Sequence, residues 1–496
     1  MTTAIFAYAM GALLTWLLAL WCASPRQRQL LLLAVSYLFY AGWGARFLPA
    51  LVISSLVNYA WGAYLRRRPT ARRLWAGLGF NLGLLVFFKY LPPLAGTWAG
   101  ESGPAAYLAQ MLLPTGISFW TFQAISYLLD LYREEDLDPT LLEFCLYMAF
   151  WPTVLSGPIC RLPDMLPQFR QERRPSWDEA ASGVQRLCVG GLMVVAGQVL
   201  GAGLRPGEGV DGGFARPAGS WGGLVVWCLA FGFGFQMFFD FAGYSHMVIG
   251  AARLFGIRLA ENFDRPYLST TPSIFWARWH MSLSSWIRDY VFLPLATARG
   301  ETWWRHLSLL LSMVLFGLWH RASPPFICWG AYNGLLLVAH RQWQQLQRRR
   351  GWEVSGRLAT GLGWTLTFVS IMLGWILFRA QDLGQASAML GTALRPGAYA
   401  RLALDPSLYV LTAAVVAGYF GVVACAAALD RVAAPPAAAP PGPVPALRHL
   451  LHRALGALAR DRWAWVGPAG AVLFFYLLVL LRLRGAGATA FLYREF

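Results

Sequence analysis

The chain alternates long apolar runs with short polar connections. A membrane helix needs about 20 predominantly apolar residues, and several of the runs reach that length. The runs lie near residues 4–23, 30–43, 47–65, 74–92, 108–131, 139–156, 183–204, 219–250, 304–320, 325–342, 358–378, 405–428 and 463–482. Runs that fall short of a full span are expected to be re-entrant. The pattern predicts an all-α fold, a polytopic membrane bundle of roughly 10–13 helices.

One stretch, from Glu261 to Arg305, interrupts this apolar pattern. It combines many polar groups with tryptophans at helical spacing, Trp276, Trp279 and Trp286. One side of such a segment can face lipid or the core while the other side meets a polar cavity. We therefore expect interfacial or re-entrant segments embedded in the bundle, and we expect the chemistry to take place there.

Composition agrees with a membrane protein. Of the 496 residues 57% are hydrophobic and 13% are charged. A soluble chain of this length would need a charged surface about twice as dense. Lipid therefore solvates surface that a soluble protein would have to bury.

The net charge of +17 comes from arginines grouped in short clusters between the apolar runs. The clusters are Arg66, Arg67, Arg68, Arg72 and Arg73; Arg348, Arg349 and Arg350; and Arg448, Arg453, Arg460 and Arg462. The positive-inside rule explains this arrangement, so we place the clusters in the cytoplasm and expect no nucleic-acid partner. The N-terminus and the loops near 93–107, 205–218 and 379–404 are then expected outside.

The remaining features predict a single domain over residues 1–496, beginning with N-terminal helices at 1–75. The cysteines stand singly without a CxxC pair, so neither a disulfide framework nor a metal site is indicated. The apolar N-terminal run lacks a basic n-region and predicts a helix that is retained. Residues 431–446 are rich in Pro and Ala and predict a cytoplasmic linker before a last helix and tail at 463–496.

Two Trp-His pairs, in FWARWHMSLSSWIRDY and FGLWHRASPPF, contain His280 and His320. A histidine inside a membrane is costly unless it is hydrogen-bonded, and it can exchange a proton near neutral pH. His320 precedes Pro324 and Pro325, which break the helix, and such a break is tolerated only in protein or against a water-filled cavity. Both histidines are therefore functional candidates. The alternative is an interfacial histidine that caps a helix end or anchors an amphipathic helix.

A second polar group comprises Asp240, Tyr244, Ser245 and His246, within two helical turns of an apolar run. A buried charge and its partners then share one face or adjoining faces of the helix. Both a catalytic role and a structural hydrogen-bond network remain open for this group.

Other polar positions have simpler interpretations. Small or polar residues at roughly helical spacing are typical of a tight helix interface, and these are Gly116, Ser118, Gln123, Ser126 and Asp130. Gly157-Pro158 followed by Arg161 suits a re-entrant turn or an anionic head group. Lys89 near the end of a run is most simply an anchor that extends to the membrane surface.

No Walker loop, GxSxG elbow, HExxH motif or Cys/His metal spacing occurs in the sequence. These absences disfavour ATP-driven transport, hydrolase chemistry of the soluble type and zinc proteolysis. We expect no bound cofactor and no metal.

Taken in order, the polar elements resemble the membrane-bound O-acyltransferase family, and most of all its bacterial alginate O-acetylation branch. The matching elements are NLGLLVFFKY, PTGISFWTFQAISYLLDLYR, GPICR, FQMFFDFAGYSHMVIGAARLFGIR, ENFDRPYLS, FWARWHMSLSSWIRDYVFLPL, GLWH and FLYREF. They extend from about residue 80 to the last residue, and so many ordered elements are far more specific than a single motif.

The resemblance implies a helical bundle around a central funnel, open to both sides and narrowing at a waist, with a family core at residues 80–342. His320 matches the essential GLWH histidine, and His280 matches the second, WH histidine. His320 would be the base that activates an acceptor hydroxyl, and His280 would orient the donor's carbonyl or stabilise its oxyanion. We also expect contacts with the acyl donor or with the acceptor substrate from Arg278, Ser282, Trp286, Arg288, Asp289, Asp240, Tyr244, Trp319 and Asn333. For Arg278, Arg288 and Asp289 the alternative is an interfacial network of ion pairs.

The sequence also departs from the family pattern. The family commonly has GLWHG, FWRRWH, GYSDM and a GGNR-like turn, whereas this chain has GLWHR, FWARWH, GYSHM and LATARGETWWRH. Arg321 is expected to disfavour a protonated His320 and to narrow the acceptor path. His246 in place of Asp bears on donor contacts or acceptor identity.

The function implied is a multi-pass O-acyltransferase of the bacterial inner membrane. It would move an acetyl group from a thioester such as acetyl-CoA to a hydroxyl of an exported polysaccharide or of an extracytoplasmic SGNH-type partner enzyme. A D-alanyl transferase acting on teichoic acid is the alternative within the enzyme class. A lipid-linked sugar flippase is the alternative outside it, and it predicts an internal symmetry that the sequence does not display.

Overall fold

The computed structural model describes residues 2–96, 103–133, 136–173, 175–204, 207–217, 219–352, 355–400 and 406–433. Within these ranges the chain is helical, and the only β pairing is an isolated antiparallel bridge between Phe263 and Trp279. In chain order the helices are α1 (Thr2–Ala19), α2 (Pro25–Gly44), α3 (Leu48–Arg67), α4 (Ala71–Lys89), α5 (Leu91–Gly96), α6 (Pro104–Ala109), α7 (Ile117–Tyr132), α8 (Leu141–Ala149), α9 (Leu162–Phe169), α10 (Trp177–Ala202), α11 (Val210–Phe214), α12 (Gly223–Leu254), α13 (Pro272–Arg278), α14 (Met281–Ile287), α15 (Leu293–Thr297), α16 (Thr302–His320), α17 (Pro324–Arg350), α18 (Arg357–Arg379), α19 (Leu383–Ala393) and α20 (Pro406–Ala433). A π-helical turn, Arg288–Phe292, joins α14 to α15. The predicted all-α class is confirmed.

Several helices are suited to a membrane by length and composition. Among the described residues, five segments are long and apolar enough to cross a bilayer: Pro25–Arg67, Trp177–Ala202, Gly223–Leu254, Arg357–Arg379 and Pro406–Cys425. The protein is therefore a multi-pass membrane protein. The total of roughly 10–13 helices stays a prediction. Most of the linker at 431–446, the last run at 463–482 and the third arginine cluster lie outside the described residues.

Two apolar runs are shorter as helices than the sequence predicts. The run at 108–131 contains a break, because Pro114 cannot donate a backbone hydrogen bond and Gly116 adopts a positive φ of 77° just before α7. A Cβ on Gly116 would overlap the carbonyl of Val154, so only glycine fits. The run at 139–156 ends as a helix at Ala149 and continues in turns that pack against Gly116.

The centre of the bundle is an antiparallel pair, α10 against α12, held together by glycines. Gly183 packs on Gly250 and Gly190 on Gly243, seven residues apart on each helix. A Cβ on Gly183 would lie 2.8 Å from the carbonyl oxygen of Gly250. The two backbones are therefore in direct contact, as in small-residue interfaces between membrane helices.

A second tight hairpin, α16 and α17, carries His320 at its tip. A side chain on Gly317 would overlap the carbonyl of Phe326, and one on Gly330 would overlap the carbonyl of Met313. Pro324 and Pro325 occupy the first turn of α17, where a missing N–H costs nothing. The connection between the helices is consequently three residues long and rigidly placed.

One end of the bundle is rich in ion pairs, and we call it the basic face. It is formed by Arg66, Arg133, Arg161, Arg170 and Arg288 around the C-terminal end of α7 and the π-helical turn. Arg66 pairs with Asp138, whose carbonyl also accepts a hydrogen bond from Arg170. Arg341 of α17 lies over the ring of Phe292, so the arginine-rich end of α17 is on the same side.

Candidate active site

His320 is the last residue of α16 and lies in an aromatic enclosure. Its imidazole is 6% exposed. Ring centroids lie 4.9 Å away at Phe316, 5.6 Å at Trp329 and 5.1 Å at Phe378. These rings come from α16, α17 and α18, which pack side by side. They exclude bulk water from the imidazole and fix its position.

His280 lies in the short connection between α13 and α14, with an unusual backbone. It has φ 43° and ψ 54°, the left-handed region. Its ring is 1% exposed and packs edge-on against Phe241 of α12, with centroids 4.6 Å apart. Non-glycine residues rarely hold this conformation unless the surroundings impose it, and such residues concentrate at functional sites.

The structure brings the two histidines together. A series of ring contacts connects them: Trp329, which touches His320, stacks on Trp375, and Trp375 contacts Trp279, the residue before His280.

The predicted residues Trp319 and Trp286 lie in the same region, on either side of Phe122. The centroid of Phe122 is 5.3 Å from Trp319 and 4.3 Å from Trp286, whose indole donates to the Phe122 carbonyl at 3.2 Å. We call the cluster formed by these rings and the two histidines the aromatic chamber.

Lys89 is a neighbour of this chamber that the sequence interpretation missed. Its ammonium lies 4.8 Å from the centroid of Trp319, and its charge acts on His320. The next residue, Tyr90, donates a hydrogen bond to the carbonyl of Leu318 at 3.3 Å and so ties the end of α4 to the last turn of α16. The sequence marks this residue only as the single lysine of the chain, at the end of an apolar run. That pattern by itself predicts a side chain that extends to the membrane surface.

The predicted residues Arg288 and Asp289 lie at the basic face. Asp289 accepts hydrogen bonds from Arg288 at 2.7 Å and from Arg161 at 2.5 Å. Burial raises the pKa of Asp289, but these two guanidinium groups outweigh it and hold the pKa below its ordinary value. Arg133 donates to the Asp289 carbonyl at 3.0 Å. Three guanidinium groups thus contact Asp289, two of them at its carboxylate and one at its backbone carbonyl.

The neighbouring Tyr290 connects this cluster to the core. Its hydroxyl lies 2.7 Å from the carboxylate of the buried Asp130. Arg133 and Arg161 lie over its ring, at 5.1 Å and 5.0 Å from the centroid. Because the π-helical turn adds an extra residue to the coil, it can aim Asp289 at the arginines while Tyr290 points inward.

The other predicted contact residues are distributed more widely. Arg278 lies 3.9 Å from Asp264 in a partly exposed ion pair. Asn333 is buried and donates to the Trp329 carbonyl of its own helix at 2.9 Å, directly beneath the ring that touches His320. Ser282 is buried and bonds both Asn262 and the backbone of Ile159.

Asp240 is directed away from the aromatic chamber. A Cβ on Gly197 of α10 would overlap the Asp240 carboxylate, so that side chain faces α10, whereas the next residue, Phe241, faces His280. Tyr244, one turn further along α12, interacts with Ser156.

The structure therefore brings together His280, His320, Trp286 and Trp319, with Asn333 one turn away. Arg278 instead pairs with Asp264.

Two of the family departures, Arg321 and His246, also have definite places. Arg321 is exposed, and the cation that acts on His320 is Lys89. His246 lies near the ion pair between Arg186 and Glu261, at a distance from the chamber. Within the part of the chain that the structure describes, no group of three or more His, Cys, Asp or Glu side chains could hold a metal ion. The arrangement supports proton transfer by imidazole in a dry enclosure between a basic face and the opposite end of the bundle.

Comparison with protein families gives a direct match. Residues 97–379 match the sequence model of MBOAT, the membrane-bound O-acyltransferase family. The match contains both histidines, the π-helical turn and all of α18, whereas the motifs had suggested a core at 80–342. It begins after Lys89.

The chain is also similar to curated proteins over most of its length. It is 32% identical to a probable alginate O-acetylase (AlgI) of Pseudomonas putida, over 96% of this chain and 96% of the relative. It is 30% identical to a peptidoglycan O-acetyltransferase of Helicobacter pylori, over 78% of this chain and 77% of the relative. Similarity to a teichoic acid D-alanyltransferase of Streptococcus thermophilus is also 30% but covers 53% of this chain and 67% of the relative. The resemblance predicted from the motifs is confirmed.

Proposed function

Because this chain belongs to the membrane-bound O-acyltransferase family, we propose that it carries an acetyl group across the bacterial inner membrane, from a cytoplasmic thioester to an extracytoplasmic hydroxyl. The observation that carries this proposal is the burial of two imidazoles in one aromatic chamber between the basic face and the opposite end of the bundle. The acceptor is a hydroxyl of an exported polysaccharide or of an SGNH-type partner enzyme, in keeping with the names of the alginate and peptidoglycan relatives.

The chemistry requires a base, because a hydroxyl is a poor nucleophile until its proton is removed. His320 accepts that proton as the hydroxyl oxygen bonds to the thioester carbonyl carbon. The tetrahedral intermediate then collapses, the C–S bond breaks, and the departing thiolate takes the proton from His320. The products are an O-acetyl ester and a free thiol. His280 holds the donor carbonyl, and the charge of Lys89 stabilises its developing oxyanion.

The position of His320 suits an acceptor that arrives from the far side. Trp304 in the first turn of α16 donates to the Leu295 carbonyl at 2.7 Å, so this helix begins close to the π-helical turn of the basic face. The 19 residues of α16 then carry His320 up to about 28 Å from that end. With the basic face in the cytoplasm, as the positive-inside rule requires, His320 lies towards the extracytoplasmic side.

The basic face suits an anionic donor. Arg161 and Arg288 bind the Asp289 carboxylate and Arg133 binds its backbone carbonyl. With the nearby Asp130 carboxylate counted, three cations still face two anions, which leaves a local excess of positive charge. Guanidinium groups bind phosphate in bidentate fashion, so the diphosphate of a CoA thioester or the phosphopantetheine of an acyl carrier protein is a fitting ligand. Trp286 is the chamber ring that meets this cluster, with its centroid 5.4 Å from that of Tyr290, and a pantetheine arm would pass beside it.

The donor can be identified with purified protein in proteoliposomes. We expect radiolabelled acetyl groups from acetyl-CoA to be transferred to a polysaccharide or SGNH-domain acceptor added on the opposite side, and we expect Trp286→Ala to lower that transfer. A D-alanyl carrier protein is the competing donor. Transfer of D-alanine in place of acetate would replace the proposal by the teichoic-acid reaction, and movement of an intact lipid-linked sugar without acyl transfer would overturn it.

A further inference from the structure

Asn262 is a fully enclosed asparagine that joins separate parts of the fold beside His280. It is 1% exposed. Its Oδ1 accepts a hydrogen bond from Ser282 Oγ at 2.6 Å and from the Ser282 backbone N–H at 3.3 Å. Its Nδ2 donates to Ser245 Oγ of α12 at 3.2 Å. The side chain thus uses its acceptor and donor ends on two different helices.

The backbone around Asn262 brackets His280 on both sides. The carbonyl of Asn262 accepts from the N–H of Met281 at 2.9 Å, and the N–H of Asp264 donates to the carbonyl of Arg278 at 3.1 Å. The isolated antiparallel bridge of Phe263 lies between these two bonds. The residues just before and just after His280 are therefore tied to the Asn262 segment, and His280 turns the chain at the tie.

This tie explains how His280 holds its conformation. A non-glycine residue in the left-handed region is strained and persists only where the surroundings impose it. Once Met281 and Ser282 are fixed to Asn262, and Arg278 to Asp264, the left-handed conformation is the one that lets the chain reverse between them. The imidazole is thereby directed at Phe241 and into the aromatic chamber.

The same network reaches a fourth segment. Ser282 Oγ, which donates to Asn262, accepts a hydrogen bond from the N–H of Ile159 at 3.0 Å. Ile159 lies in the turn that ends at Arg161, whose guanidinium binds Asp289. Asn262 therefore sits at the junction of α12, its following connection, the start of α14 and the turn that leads to the basic face.

We propose that Asn262 is a positioning residue that fixes His280 for acyl transfer. It acts through hydrogen bonds to Ser282, Ser245 and the Met281 backbone, and it does not touch the substrate. The catalytic consequence rests on the proposed function, because only there does His280 hold the donor carbonyl. The structural consequence, a locked turn at residues 279–282, does not depend on it.

The test compares Asn262→Ala with a matched control, Asn58→Ala. Asn58 is also 1% exposed, and its Nδ2 donates within the α3–α4 pair to Ser54 and to Asn81 at 3.1 Å. Hydrogen–deuterium exchange of the full-length protein in detergent reports the amides of Met281 and Ser282. Acetyl transfer, expressed per folded molecule, reports kcat and the KM for the donor.

We expect Asn262→Ala to speed exchange by about 10-fold or more at the Ser282 amide, which loses its acceptor Oδ1, and by less at the Met281 amide, whose acceptor is the retained backbone carbonyl. We also expect it to lower kcat about 10- to 100-fold, since a displacement near 1 Å has that effect, with KM changed less than about 3-fold. Asn58→Ala should leave both quantities unchanged per folded molecule. Asn262→Asp keeps the acceptor for Ser282 and can accept from Ser245, so it should restore most of kcat.

Unchanged exchange at Met281 and Ser282 in Asn262→Ala overturns the positioning role, whatever the enzyme's substrate proves to be. Equal losses of kcat in Asn262→Ala and Asn58→Ala also overturn it, because the loss would then be general destabilisation. If Asn262→Ala does not fold, Ser282→Ala removes the Oγ bond to Asn262 and leaves only the longer bond from the Ser282 amide, so exchange at that amide should still rise, and unchanged exchange overturns the role. Faster exchange in a protein that transfers no acyl group supports the locked turn and refutes the proposed function alone.

Discussion

The charge of Lys89 offers a sensitive test of how the chamber works. Replacing it by methionine keeps the length and apolar stem of the side chain and removes only the ammonium, which lies 4.8 Å from the centroid of Trp319. If a substrate carbonyl beside His320 lies roughly 7 Å from that ammonium, a unit charge there is stabilised by about 2.4 kcal/mol at an effective dielectric of 20. Loss of this stabilisation corresponds to a rate roughly 50-fold lower.

The assay is acetyl transfer by purified variants in proteoliposomes, with folded protein measured by size-exclusion chromatography. Lys89→Met is expected to lose roughly 50-fold in kcat, and Lys89→Arg, which keeps the charge, to lose much less. Tyr90→Phe is the matched control, since it breaks the bond to the Leu318 carbonyl at the same helix end without a change of charge. Equal activity of Lys89→Met and the wild type would refute the electrostatic role and restore the interpretation of Lys89 as a surface anchor.

Two further predictions concern stability. Gly190→Ala should lower the melting temperature, because its Cβ would lie 2.7 Å from Cγ of Met247 and overpacking costs about 1–3 kcal/mol. Gly79→Ala is the control, since no atom lies within 4 Å of its Cβ, and it should be neutral or stabilising. Equal shifts of the two variants in a thermal-unfolding assay would contradict the close approach of α10 and α12. The pKa of Asp289 is held below its ordinary value, so its ion pairs stabilise the fold above about pH 4 and are lost as the pH falls through the lowered pKa. The melting temperature of the wild type should therefore fall more steeply between pH 6 and pH 3 than that of Asp289→Asn, and parallel curves would contradict the prediction.

Helix positions were largely predictable from the sequence, because burial in lipid imposes long apolar runs. The run at 219–250 became α12 at Gly223–Leu254, and the run at 304–320 became α16 at Thr302–His320. The contact surface of α10 with α12 is also visible in the sequence, because Gly183, Gly190 and Gly197 are spaced by seven residues. This spacing does not predict the pairing, because glycines on one helix do not indicate which helix lies opposite.

Residue type and motif were sufficient to predict the two histidines of the candidate site but not their tertiary neighbours. His280 and His320 were found because a histidine in an apolar chain needs a partner or a function. Lys89 and Asn262 were missed because their importance lies in tertiary neighbours far away in the sequence. Lys89 meets Trp319 only where the end of α4 reaches the last turn of α16, and Asn262 meets Ser245 and Ser282 only once the chain has turned back at His280. Asp240 illustrates the reverse case: its helix was predicted, but the side chain faces α10.

The role of His320 as catalytic base can be measured directly with a matched control on the same helix. His306 lies in the first turns of α16, and His320 ends it inside the aromatic chamber. Radiolabelled acetyl transfer by folded His320→Ala and His306→Ala protein should give a product signal at background for the first and near the wild-type level for the second. Full activity in His320→Ala, or equal losses in the two variants, would contradict the account.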